Sequence, residues 1–219
     1  MSTAQLRGGQ ARQDELLAAT IDVLRETGYD RLTIDAVVAR ARASKTTVYR
    51  RWPNKAALVV AAFTHAVQKI PVPPDTGSLR EDLVAILDGL MTELDRLGDV
   101  VTGLIGELRR SPELATAMRT GFIATRRNLI MQVFDRARQR GELADDADLD
   151  TIWYLGPALV FFRTVLLGEP VDRAFAHHVV DDLVLPLLRP HRNSQSQPIS
   201  HSSVNHDVPP LGHRRPSET

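Results

Sequence analysis

Residues 32–55 spell two short helices, each opened by a hydroxyl residue and joined by a three-residue turn. Thr33 precedes the stretch 34–41, and its hydroxyl can accept a backbone N–H left free in the first turn. Val37 and Val38 supply that helix with apolar positions. Arg42, Ala43 and Ser44 form the turn, and Ser44 caps a second helix running through Arg51. Pro53 interrupts, and Asn54 caps a longer apolar helix over 55–70. Two short helices at such a turn, the second rich in Lys, Thr and Arg, form a helix-turn-helix. In that geometry the second helix enters the major groove of a duplex and its first residues meet base edges.

Those first residues are Ser44, Lys45, Thr46 and Thr47. A lysine donates to guanine O6 and N7, and a threonine offers a hydroxyl and a methyl that suits thymine. Tyr49, Arg50 and Arg51 lie a turn further on, placed for phosphates that position a protein without reading sequence. Packing is a second role open to Tyr49. Lys55 stands at a helix N-terminus, where dipole and ammonium together favour a phosphate. Trp52 reads as core. Arg7 and Arg12 are open to two readings, a minor-groove arm or a solvated tail.

Charge follows the same division. The net charge is zero, yet residues 1–74 carry 11 Lys/Arg against 6 Asp/Glu, and residues 75–190 carry 13 against 19. From 36 to 74 there are seven basic residues and no acidic one. A basic head on an acidic body suits a polyanion at one end.

The rest of the chain reads as helices, so the expected class is all-α. A first helix over 10–27 carries Leu17, Ile21 and Leu24 on one stripe and stops at Gly28, with Tyr29 and Leu32 covering the turn. The breaker cluster 71–78 separates a DNA-binding unit (1–70) from a helical body (79–189). Helices are expected over 79–97 and 100–110. Ser111 and Pro112 open another that runs to 140, with Gly121 as a kink and Gly141 as its stop. An acidic loop, 145–148, leads to a nearly all-apolar helix over 149–167, and a last helix covers 172–188. Residues 190–219 hold five Pro, six Ser and four His with few large apolar groups, the composition of a disordered tail.

Several chemistries are absent from the sequence. With no cysteine there is no disulfide scaffold, thiol nucleophile or Cys-ligated zinc. His65, His177 and His178 lack metal-ligand spacing, and the acidic run 145–150 lacks the glycine and terminal glutamate of a calcium loop. No cofactor or metal is expected. The longest apolar run without a charged residue is 13 residues (56–68), short of the ~18 of a membrane span, and residues 1–10 lack the apolar core of a secretory signal. A cytoplasmic protein with no membrane partner is the expectation.

The run from Leu32 to Leu58 resembles the DNA-binding domain of TetR-family transcriptional regulators. The likeness is carried by Thr33, by Thr47-Val48-Tyr49, by Trp52, and by Asn54-Lys55-Ala56-Ala57-Leu58, with Gly28-Tyr29 upstream. It implies a three-helix DNA-binding domain and a C-terminal domain that binds a small molecule and forms a homodimer through the last two helices. Thr33, Tyr49 and Lys55 would contact phosphate, Lys45, Thr46 and Thr47 would face bases, and Arg50 and Arg51 would flank them. The implied partners are an operator duplex, a second copy and an unidentified effector. One departure stands out: Arg42 occupies a turn position that is usually glycine in the family, which implies backbone strain where φ is positive, or a phosphate contact. The body resembles one actinobacterial-type subgroup over residues 155–172.

An effector pocket belongs among the body helices. Leu104, Met118, Phe122, Ile123, Met131, Trp153, Tyr154 and Phe161 are its candidate wall, each equally suited to core or dimer interface. Arg163, in an apolar helix, calls for an acidic partner across a dimer or a ligand anion. The expected function is a ligand-responsive repressor binding a pseudo-palindromic operator. Two alternatives are a helical enzyme acting on a small apolar substrate, for which no catalytic signature is found, and a sequence-indifferent architectural DNA binder, which a net charge of zero disfavours.

Overall fold

A computed structural model describes residues 3–67 and 74–189, with side chains from residue 9 onward. The side chain of Arg7, residues 68–70 at the end of the helix expected over 55–70, residues 71–73 of the expected linker and the 190–219 tail lie outside the described residues. Among those described, the regular elements are all helical.

α1 (Thr3–Arg31) starts ahead of the expected residue 10, because Gly8 and Gly9 cost a helix only about 1 kcal/mol each and no proline stops it. Its regular turn ends at Gly28, whose φ of 74° and ψ of 167° belong to a region that glycine alone enters freely. Tyr29 and Leu32 are buried there, as the sequence implies. α2 (Ile34–Arg40) and α3 (Lys45–Tyr49) follow, pinned by the fully buried Val37 and Val48. α4 (Lys55–Val67) is capped by Asn54, whose Oδ1 accepts from the Ala57 N–H at 2.8 Å.

α5 (Leu79–Leu108) is one helix where two were expected. Leu94, Leu97, Val101 and Leu104 form a continuous buried stripe at three- and four-residue spacing, and burying it outweighs the helix penalty of Gly98. α5 is the central post: α1, α6, α7, α8 and α9 all pack on it.

Ser111 caps α6 (Pro112–Ala117), accepting from the Leu114 N–H at 3.2 Å. A π-helical turn, Met118–Ile123, then leads without a break into α7 (Ala124–Gln139), and Gly141 closes it with φ 75°. Asp148 caps α8 (Leu149–Phe161), which continues through a second π turn, Phe162–Leu166. The last helical stretch is α9 (Arg173–His178), a third π turn (Val179–Val184) and α10 (Leu185–Leu188).

One apolar core runs from Leu16 to Leu188. α4 joins the N-terminal helices to the body, packing on α1 on one side and on α6 and the first π turn on the other. Arg25 adds a polar tie from α1 to α5, donating to Asp99 at 3.0 Å and to the Arg96 carbonyl at 2.7 Å.

The stretch Leu149–Leu166 has a mean hydropathy of 1.2, long and apolar enough to cross a membrane, yet only 17% of it is buried. It carries Asp150, paired with Arg127, and Arg163. Arg163 pairs with Glu169 of its own chain at 3.2 Å and lies 4.9 Å over the Phe175 ring. Neither partner is the one expected from sequence, because Gly168 (φ 67°) turns the chain back and brings Glu169 within reach.

Candidate nucleic-acid interface and adjoining cavity

Both hydroxyl caps form. Thr33 Oγ1 accepts from the Ala36 N–H and Ser44 Oγ from the Thr47 N–H, each at 3.2 Å. These caps fix where α2 and α3 begin, and burial of Val37 and Val48 fixes which way they face. The consequence for α3 is that Ser44, Lys45, Thr46, Tyr49, Arg50 and Arg51 are exposed and Thr47 is half-buried. Tyr49 is 52% exposed, on the outer side of α3 with Lys45, Thr46 and Arg50. Trp52 is buried, as expected.

Several of these groups are held by the protein itself. Lys45 Nζ lies 2.6 Å from Asp35 of α2, and the hydrogen bond raises the ammonium's pKa. Both partners are solvent-exposed, so the pair screens easily and yields to a phosphate or base. The Thr47 hydroxyl meets Ser44 Oγ at 2.9 Å. Arg51 Nη1 donates to Gln13 of α1. Arg40 grips both carboxylate oxygens of Glu26, at 2.9 and 2.6 Å, tying α2 to α1.

Lys55 is more engaged than its helix-start position implies. Its ammonium donates to the carbonyls of Tyr29 (2.9 Å) and Asp30 (3.2 Å) and sits 4.4 Å from the Tyr29 ring centroid. It therefore latches the end of α1 to the start of α4, with one of its three N–H donors left for a phosphate.

Arg42 adopts φ 48°, the one non-glycine residue with positive φ among those described. Its carbonyl accepts from Arg12 Nη2 at 2.5 Å. Arg12 thus has a structural partner in the turn, a role neither sequence reading gave it. These ties span 14 to 38 residues along the chain, so no local pattern could have signalled them.

The body holds a cavity of about 130 Å³ bounded by α4, α5, α7, α8 and the first π turn. Of the expected wall, Phe122, Ile123, Trp153 and Phe161 line it. Leu104 and Met118 are instead buried core, Met131 is half-buried against that core, and Tyr154 is largely exposed. Apolarity alone does not separate these fates, since all eight suit an apolar surround. Phe63 and Val67 of α4 complete the wall, so the helix that begins at Lys55 ends against the cavity.

Sequence reasoning missed the charged lining of the cavity among the described residues, Glu93 and Arg126. Both Glu93 oxygens accept from Arg126 Nη2, Oε2 at 2.5 Å, and the guanidinium lies 5.3 Å from the Phe122 centroid. Burial pushes the Glu93 carboxyl above the usual carboxylate range, against the opposing pull of Arg126. The only sequence clue is that Glu93 falls on the buried stripe of α5 beside Leu94.

The histidines sit among ordinary polar partners: His65 near Asp14, His177 against Arg80, His178 against Asp182. Among the described residues, no cluster of three or more His, Asp or Glu could hold a metal.

Residues 16–62 match the family described as bacterial regulatory proteins, tetR family, and residues 73–183 match the tetracyclin repressor-like C-terminal domain. An uncharacterized HTH-type transcriptional regulator of Mycobacterium tuberculosis is 41% identical over 177 residues, covering 81% of this chain and 88% of its own. A DNA-binding transcriptional repressor TetR of Mycobacteroides abscessus is 38% identical over 184 residues, covering 83% and 96%. The crystal structure of the TetR family transcription regulator SCO0332 superposes with a TM-score of 0.68 at 34% identity, covering 82% of this chain and 99% of that one. With a capped, outward-facing α3 and relatives matched along both the head and the body, the chain belongs to the TetR family of transcriptional regulators.

Proposed function

We propose that this regulator is a repressor that binds a pseudo-palindromic operator as a homodimer in the cytoplasm and is released by a small molecule. The observation that carries DNA reading is the exposed leading face of α3, where Ser44, Lys45 and Thr46 stand clear of the core while Val48 anchors the helix from behind. Tyr49 and Arg50 stand exposed beside them for phosphates, and Arg51 and Lys55 reach phosphate only with donors not spent on Gln13 or on the Tyr29 and Asp30 carbonyls. The name of the M. abscessus relative supports repression.

Homodimerisation is supported by apolar side chains left uncovered around α8 and α10. Phe162 is 53% exposed, Leu166 72% and Leu187 55%. Large exposed apolar groups on the last helices suit an association surface. A second copy aligns two α3 helices with successive major grooves. Effector release is supported by α4, which runs from the Lys55 latch to the cavity wall. A ligand that fits better when α4 has shifted would favour a head spacing that no longer matches the operator.

The test is selection of bound sites from random duplexes, followed by salt titration of variants. Thr46→Ala is expected to shift base preference with little change in salt slope. Lys55→Ala is expected to weaken binding to every duplex and flatten the slope by about one phosphate. Parent-like behaviour in both variants would remove α3 and the start of α4 from the interface.

A further inference from the structure

Among the described residues the cavity lining is neutral, with one carboxylate and one guanidinium joined across it. Arg126 spends a single nitrogen on that pair: Nη2 serves both Glu93 oxygens. Its Nε–H and both Nη1 hydrogens have no acceptor among the described residues. An arginine offers five donors and no acceptor, and with this side chain 24% exposed the unused ones bind solvent until a guest supplies an oxygen. Around this polar pole stand four aromatic rings, those of Phe63, Phe122, Trp153 and Phe161, which favour a flat apolar body.

Charge bookkeeping discriminates among guests. A carboxylate on Arg126 would place two anions on one guanidinium in an apolar surround. An ammonium ion would have to take Glu93 from Arg126 and leave the guanidinium without its counter-ion. Glu93 is buried and Arg126 only partly so, and taking one member from the pair leaves a poorly solvated charge uncompensated. A neutral guest with an accepting oxygen disturbs neither charge and fills the idle donors.

Taking the cavity as the effector site proposed above, we infer that it binds a neutral, ring-bearing, mostly apolar molecule through one carbonyl oxygen, held by the uncommitted N–H groups of Arg126 beside Glu93. Carboxylate and ammonium analogues of the same skeleton are discriminated against.

The experiment is isothermal titration of the full chain with acetylnaphthalene, naphthoate, naphthylmethylammonium and methylnaphthalene, four probes sharing one ring system. Acetylnaphthalene is expected to bind at least tenfold more tightly than either charged probe and several-fold more tightly than methylnaphthalene. Arg126→Met is expected to abolish the advantage of acetylnaphthalene over methylnaphthalene. Since that variant strands Glu93, the double variant Glu93→Gln with Arg126→Gln, which is neutral throughout, is measured beside it. It is expected to bind acetylnaphthalene about tenfold more weakly than the parent while keeping its affinity for methylnaphthalene. A charged probe that binds as tightly as the ketone, no heat from any probe, or an unchanged ketone affinity in the double variant would each overturn the inference. Operator binding without any probe is measured separately. Its loss would undo the regulator reading and leave the probe ranking standing, whereas a failed ranking with intact operator binding would reject the ligand class alone.

Discussion

Arg42 shows how one residue can be legible and illegible at once. Its position in a tight turn follows from the two hydroxyl caps, and the turn's left-handed φ of 48° is what makes an arginine there strained. The offsetting contact, Arg12 donating to the Arg42 carbonyl, comes from a helix 30 residues away and could not be read locally. Arg42→Gly relieves the left-handed strain but loosens the unfolded chain, so a net stabilisation of about 0.5–1 kcal/mol is expected by urea denaturation. A loss of stability would mean that the arginine side chain contributes more than its strain costs. Lys55 makes the same point. Its place at a helix start is plain in the sequence, whereas its grip on two carbonyls at the end of α1 depends on where Gly28 turns the chain.

Elements were legible where capping and breaking residues set their ends, and less so where periodicity had to decide. Thr33, Ser44, Asn54, Ser111, Asp148 and Asp172 all serve as side-chain caps, because a short polar side chain at those positions has few other uses. Gly98 stops nothing, since the buried stripe of α5 runs past it. The three π turns leave no mark on the sequence, yet each rotates the helix beyond it relative to a regular 3.6-residue count. Gly121 lies in the first of these, and a Cβ placed there would stand 3.1 Å from Val60 Cγ1 of α4. Its smallness therefore sets how closely the body approaches the helix that carries the DNA-binding head. Gly121→Leu is expected to cost about 1–3 kcal/mol in thermal or urea unfolding through overpacking. It should also change operator affinity without touching any DNA contact. Unaltered stability would show that α4 has slack at this point.

At the scale of the molecule, the apolar side chains left open around α8 and α10 matter most. A helix of mean hydropathy 1.2 that is only 17% buried has not completed its burial within one chain. Exposed Leu166 and Leu187 are suited to a partner surface, and a glutamate at each would place like charges across a twofold contact. The double variant Leu166→Glu, Leu187→Glu is expected to behave as a monomer by light scattering at micromolar concentration, where the parent is expected to be a dimer. Its operator affinity should fall at least a hundredfold, since one head alone engages one half-site. A dimer that survives both substitutions would place the contact elsewhere.

The sequence by itself determined the helical class, the helix-turn-helix, the caps that phase α2 and α3 and the residues on the leading face of α3, because each depends on contacts within a few residues. Only the tertiary structure decided which apolar residues became core, cavity or open surface, and which cations were held: Lys45 by Asp35, Lys55 by two carbonyls, Arg126 by Glu93. The physical reason is that burial and ion pairing join groups far apart in the chain, and a local pattern carries no record of which distant side chain will arrive.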